Sequence, residues 1–91
     1  MTIYKIQGTV WRWPGDAGWH FLTLPKPLAQ KIRKMYPKGF VKIRAIIGKS
    51  TWETSLFPHR EAGYLLCVNK KIRKQEGLFE GDGVVVRFDI L

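Results

Sequence analysis

The sequence predicts a small, mainly β barrel with two short helices. Three observations point there. Short runs of β-branched and aromatic residues alternate with polar ones, with a period of two. Two segments instead carry helix starts and helix stops. The order strand, strand, helix, strand occurs twice, so the chain reads as internally duplicated. With 91 residues it makes one domain, and its pseudo-repeat halves fall at about 1–46 and 47–91.

Residues 68–90, VNKKIRKQEGLFEGDGVVVRFDI, hold the sharpest signals. Asn69 is a good N-cap, because its side-chain oxygen can take a free amide of the first turn. A short helix is expected over 70–76, ended by Gly77 in a left-handed conformation. Leu78 and Phe79 follow as an apolar contact, and residues 80–83, EGDG, as a turn. Val84, Val86, Phe88 and Ile90 then face the core, with Val85, Arg87 and Asp89 opposite.

Earlier in the chain, residues 2–13 read as a long strand of mixed parity. Tyr4, Ile6 and Val10 share one face and Trp11 and Trp13 the other, so a bulge at Gly8 is expected to switch faces. Pro14, Gly15 and Asp16 make a turn. Residues 19–24 are almost all apolar and are expected to be a strand covered on both sides. Pro25 and Pro27 open a helix. Its apolar stripe is Leu28, Ile32, Met35 and Tyr36, with Lys26, Arg33 and Lys34 on the opposite side. Val41, Ile43, Ala45 and Ile47 form the next strand, and Gly48 bends the chain. A strand over 51–57 is expected to stop at Pro58, and one over 64–68 leads into the second helix. The halves align at a spacing of 44 in the pairs Ile3/Ile47, Pro14/Pro58, Leu24/Val68 and Lys26/Lys70, and of 43 in Val41/Val84 and Ile43/Val86.

The motifs Trp11-Arg12-Trp13-Pro14-Gly15, Gly18-Trp19-His20-Phe21, Leu24-Pro25-Lys26 and Thr54-Ser55-Leu56-Phe57-Pro58 run through the first two thirds. Gly63-Tyr64-Leu65-Leu66, Lys70-Lys71-Ile72-Arg73-Lys74 and Glu80-Gly81-Asp82 continue them. On these residues the whole chain resembles the DUF1905 family, a domain of unknown function. Cys67 departs from the pattern, which carries proline there. A second, shorter resemblance joins residues 68–73, Gly77-Leu78, Glu80-Gly81-Asp82 and Val84-Val85-Val86 to the half-barrel of the AbrB and MazE transcription factors. In those, two chains each give one half of a double-split β-barrel. The resemblance implies that here one chain carries both halves and needs no partner, so a monomer is expected rather than an obligate dimer.

No constellation carries the chemistry of an enzyme. A zinc site wants about four close ligands, and the chain offers only His20, His59 and Cys67, widely spaced. Cys67 with His59 as a nucleophilic pair is less expected than a small buried thiol. Glu80 and Asp82 suit a turn better than acid–base work, and Gly81-Asp82-Gly83 lacks the length and lysine of a phosphate loop. No cofactor or metal is expected.

Sixteen Lys and Arg against seven Asp and Glu give a net charge of +9, which favours anionic partners. The expected polyanion contacts are Lys26, Arg33 and Lys34 on the first helix, with Lys70, Lys71, Arg73 and Lys74 on the second. Helices at opposite ends of the barrel would split that charge in two. Weak binding of nucleic acid or another polyanion is thus the leading expectation. The alternatives are a small-molecule site in the tryptophan-rich region around Trp11, Trp13 and Trp19, or a protein-interaction module. Large rings filling the barrel and its flanks are the simpler account of the tryptophans, although Trp13 and Trp19 flank a turn and are the pair expected to be partly exposed. No apolar run reaches the roughly 18 residues of a membrane span, residues 1–10 hold no signal-peptide core, and one thiol suits the cytoplasm.

Overall fold

In a computed structural model, which describes residues 2–91, the chain forms seven strands and two helices. These are β1 Tyr4–Thr9, β2 Trp11–Arg12, β3 His20–Thr23, α1 Lys26–Met35, β4 Val41–Ile47, β5 Ser50–His59, β6 Gly63–Cys67, α2 Lys70–Glu76 and β7 Gly83–Ile90. The strands make one antiparallel sheet in the order β1-β7-β4-β5-β6-β3-β2. Its two edges, β1 and β2, are parts of one run of chain separated only by Val10. The sheet therefore curls into a nearly closed barrel, the arrangement that leaves fewest open strand edges.

Inward residues alternate along the strands as their period of two requires. Ile6, Leu22, Ile43, Leu56, Leu66, Val86 and Phe88 fill the interior, and Ile32 and Ile72 cover it from the helices. Phe21 and Leu65 are also buried, but they lie apart from this cluster.

The α2 region folds as its local signals dictate. Asn69 Oδ1 accepts the Ile72 amide at 2.9 Å, and Gly77 closes the helix at φ 65°. In the turn, the Phe79 amide donates to Asp82 Oδ2 at 2.8 Å, so Asp82 holds backbone. Leu78 packs on the core, but Phe79 is 74% exposed and makes no such contact. Asp89, expected to face out, is buried, because β4 pairs over this end of β7 and sets it opposite Arg44.

Other departures have equally local causes. The first strand changes partner at Val10, two residues beyond Gly8. Val10 donates to the Asp82 carbonyl and accepts from the Gly81 amide, so the switch is fixed by the distant 80–83 turn. β5 runs through Pro58, which pairs with Tyr64 near the strand's end, where a missing N–H is tolerated. In α1 the buried residues are Ala29 and Ile32, while Met35 and Tyr36 are exposed. The helix approaches β6 closely at Gly63, where any added Cβ would meet the Ala29 Cβ at 2.8 Å. That contact turns Ala29 inward and leaves the last turn overhanging.

The second half runs strand, strand, helix, strand, as β5, β6, α2 and β7; the first half matches that order when β1 and β2 are counted as one bent strand. Around the helix starts, a spacing of 44 exchanges one half with the other. Leu24 donates to the Tyr64 carbonyl at 3.1 Å, and Val68 to the His20 carbonyl at 3.0 Å. No single spacing serves throughout. Tyr4 pairs with Phe88 while Trp52 pairs with Ala45, so with Phe88 set on Ala45 the first strands are related by 48.

Candidate functional site

The outer face of the barrel, not its interior, carries the aromatic residues expected to matter. Trp11 in β2 pairs across from Phe21 in β3, and Phe21 across from Cys67 in β6. The Trp11 ring lies 5.4 Å from that of Phe21, with its Nε1 donating to Thr23 Oγ1 at 3.0 Å. Trp13 is set by its amide, which donates to the Trp19 carbonyl at 2.8 Å. Its ring meets Phe21 edge-on at 6.0 Å, while Trp19 stacks over Phe21 at 6.4 Å with 9° between planes. Phe57 on β5 and Phe40 just before β4 complete the group, 5.1 Å apart.

These rings enclose an open cleft of about 570 Å³, lined by Trp13, Trp19, Phe21, Phe40, Phe57, Leu65 and Cys67, with Thr54 and Ser55. Phe21 is its floor at 7% exposure; Trp19 and Phe40 are rims at 55% and 62%. So the tryptophans do not fill the barrel. Only Trp52 packs against the core, and its Nε1–H is buried without a partner. The exposure expected of Trp13 and Trp19 is present. Trp11 braces the floor instead of lining the cleft. Phe21, Phe40 and Phe57 were missed by sequence reasoning. The signal available was parity, since Phe21 adjoins Leu22 and Phe57 adjoins Leu56, placing apolar residues on both faces of two strands.

The basic residues fall into separate groups. Lys26, Arg33 and Lys34 meet Arg60, His59 and Glu61 in one cleft of about 510 Å³ beside α1. Arg33 is engaged there: its guanidinium lies 4.8 Å from the Tyr64 ring centre and donates to the Gly63 carbonyl at 3.1 Å. Lys70, Arg73 and Lys74 gather beside His20, Phe79 and Glu80. Lys71 lies apart, with Lys49, Gln75 and Glu76. None of these clefts holds residues of both helices.

His59 Nδ1 accepts the Ala62 amide at 3.1 Å and its ring touches Trp13, so its contacts are structural. His20 Nδ1 lies 2.7 Å from Arg73 Nη1 and 2.6 Å from the Gly18 carbonyl. Burial pushes the Cys67 thiol above its ordinary value, and the nearby Arg73 charge partly opposes this. A thiol held protonated is a poor nucleophile. Among the described residues no group of three His, Cys, Asp or Glu could hold a metal ion.

A family model described as "Domain of unknown function (DUF1905)" matches residues 7–88. The chain belongs to this family. The match covers the bend at Val10, the residues that line the aromatic cleft, both helices and β7 as far as Phe88; it leaves out Tyr4–Ile6 of β1. A comparison with curated proteins found no match. Among the described residues no helix is long and apolar enough to cross a membrane.

Proposed function

We propose that this DUF1905 domain is a binding module that takes a small, flat, largely apolar molecule in the cleft between Trp13, Trp19, Phe40 and Phe57. One observation carries the reading: five rings stand on the outer face of the sheet around an open cleft of about 570 Å³. That size suits a small-molecule site, and a mostly apolar wall with a few polar groups is its usual make-up. Thr54, Ser55 and Cys67 are the polar groups here. The module acts as a monomer, because the sheet curls almost closed on its own strands, and the reduced Cys67 suits the cytoplasm. We read it as a binder and not an enzyme, because burial holds the Cys67 thiol protonated and His59 Nδ1 is taken up by the Ala62 amide.

Neutral aromatic probes test this. Titration with 2-naphthalenemethanol should change tryptophan emission saturably, and the binding should survive 0.5 M salt. Trp19→Ala and Phe57→Ala should weaken it about tenfold or more, the worth of a stacked ring. An emission unchanged by the probe would refute the cleft as a ligand site.

A second reading rests on the Lys26, Arg33, Lys34 and Arg60 cleft. Its charge, with the net +9, favours weak nucleic-acid binding of low sequence preference. The AbrB-like stretch of α2 and β7 points the same way. Because the charge is divided, few phosphates are met at once, and affinity should fall by about 0.9 log units per log unit of salt for each contact. Loss of nucleic-acid binding in Lys26→Glu, Lys34→Glu and Arg60→Glu together, on an intact fold, would support it.

A further inference from the structure

The aromatic cleft does not end at Trp19. Trp19 and Cys67 form a shared wall, and beyond it lies a notch lined by Gly18, His20, Asn69, Lys70 and Arg73. One side of the wall is apolar and the other is cationic.

The cations of the notch are unneutralised. Among the described residues the one ion pair is Arg44 with Glu53, far from here on β4 and β5. Glu80 lines the adjoining cleft with Lys70, Arg73 and Lys74, but it stays beyond ion-pair distance of all three. Arg73 touches His20 Nδ1 through Nη1 alone. A guanidinium carries five N–H donors and cannot give up its charge, so most of its donors remain to be met. Its field reaches the cleft wall, where it lowers the Cys67 thiol against the opposing effect of burial. Arg33, at the other helix, is by contrast occupied by Tyr64 and the Gly63 carbonyl.

We infer that the ligand of this cleft is an amphipathic anion: a planar apolar body seated among Trp13, Trp19 and Phe57, with a carboxylate or similar anionic head reaching past Trp19 to Arg73 and Lys70. The inference rests on the cleft reading above and adds the head group to it. Arginine suits the role because its planar fork matches the two oxygens of a carboxylate. Lys70 sits one helical turn from Arg73 and supplies a second, more mobile charge.

A matched pair of probes separates the two claims. 2-Naphthoate and 2-naphthalenemethanol share a body and differ in the head. Binding is read by tryptophan emission and by chemical-shift changes at moderate salt. Naphthoate should bind about tenfold tighter, the worth of one charge-assisted hydrogen-bonded contact. Arg73→Gln should bring the two probes within about twofold of each other, Lys70→Gln should remove part of the preference, and Arg33→Gln should leave it intact. Trp19→Ala should weaken both probes. Equal binding of both probes would overturn the anionic head and leave the cleft reading standing. No binding of either would overturn both. A naphthoate preference that survives Arg73→Gln and Lys70→Gln would assign it to the general positive charge, not to this notch. Amide chemical-shift dispersion and a thermal melt check that each variant is folded.

Discussion

Each helix of this small barrel lays an arginine against a ring on a strand of the other half, and the two arrangements end differently. Arg33 of α1 covers Tyr64 of β6; Arg73 of α2 meets His20 of β3. Tyr64 and His20 are 44 residues apart and occupy exchanged places in the β3–β6 ladder. At the α1 side the neighbouring pair is Gly63 with Ala29, small enough for helix and strand to touch. Forty-four residues away, the pair is Trp19 with Arg73. There a large ring and a long cation replace two small residues, and a notch opens between them. One side is closed core and the other is an open notch, the place proposed above for the anionic head. The difference follows the side-chain volumes at the two places.

The largest expected effect is on the closed side. Tyr64 is fully buried, its hydroxyl donates to the Tyr36 carbonyl at 3.2 Å, and Arg33 covers its ring. Tyr64→Ala should cost about 3–5 kcal/mol in urea denaturation. His20→Ala, at the half-buried counterpart, should cost less than about 1.5 kcal/mol. Equal losses would mean that the two sides are packed alike.

Next comes the close approach itself. Gly63→Ala places a Cβ against Ala29 at a residue with φ 87°, and should lose about 2–3 kcal/mol from strain and overpacking together. Trp19→Ala should change stability by less than about 1 kcal/mol, because its ring is mostly exposed. If the Trp19 change proved the more costly in thermal melts, the open side would have to be counted as core.

A smaller contrast lies at the helix starts. α2 has a side-chain cap from Asn69, whereas α1 begins at Pro25 with none. Asn69→Ala should lose about 1 kcal/mol. Pro25→Ala removes no cap and should lose less. Circular dichroism with urea titration distinguishes them.

The smallest effect is a pH dependence. Burial raises the folded Cys67 thiol from its ordinary 9.0, with Arg73 opposing. Folding therefore holds that proton more tightly. Its contribution to stability is full below the unfolded thiol's range and is lost as pH rises through the folded one, above pH 9.0. Iodoacetamide alkylation should reach half its maximal rate above pH 9.0, and at still higher pH in Arg73→Gln, where the opposing charge is gone. A midpoint below 9.0 would show a thiolate favoured by its surroundings.

Much of the fold was legible because its signals are short-range. Asn69, Gly77 and the EGDG turn specify α2 and the start of β7 almost residue by residue, and the period of two marks β4 and β7. What sequence reasoning missed depends on contacts between distant segments. The switch at Val10 is set by hydrogen bonds to Gly81 and Asp82. The inward turn of Ala29 is set by Gly63, and the burial of Asp89 by β4. The site divides in the same way. Exposure of Trp13 and Trp19 follows from their place beside the Pro14-Gly15 turn. The cleft as a whole needs Phe21, Phe40 and Phe57, which are adjacent only once β3, β6, β5 and β4 lie side by side. A division of the positive charge was expected only if the helices capped opposite ends of the barrel; the engagement of Arg33 by Tyr64 was not expected.

The bend at Val10 has a consequence for how the barrel comes into being. Because β1 and β2 are one run of chain, closing the sheet requires Tyr4 to meet Phe88, from which it is separated by every other strand of the sheet. The β4–β5 hairpin, by contrast, joins Ile47 to Ser50 and can form within its own length. During synthesis β1 emerges before β7 and must wait for it, holding a row of unpaired amides until the segments between them have been made. Such long-range pairing slows folding, and an unpaired edge is open to any passing strand. Until β7 arrives, the β1 edge is therefore the part of this fold most open to pairing with a foreign strand.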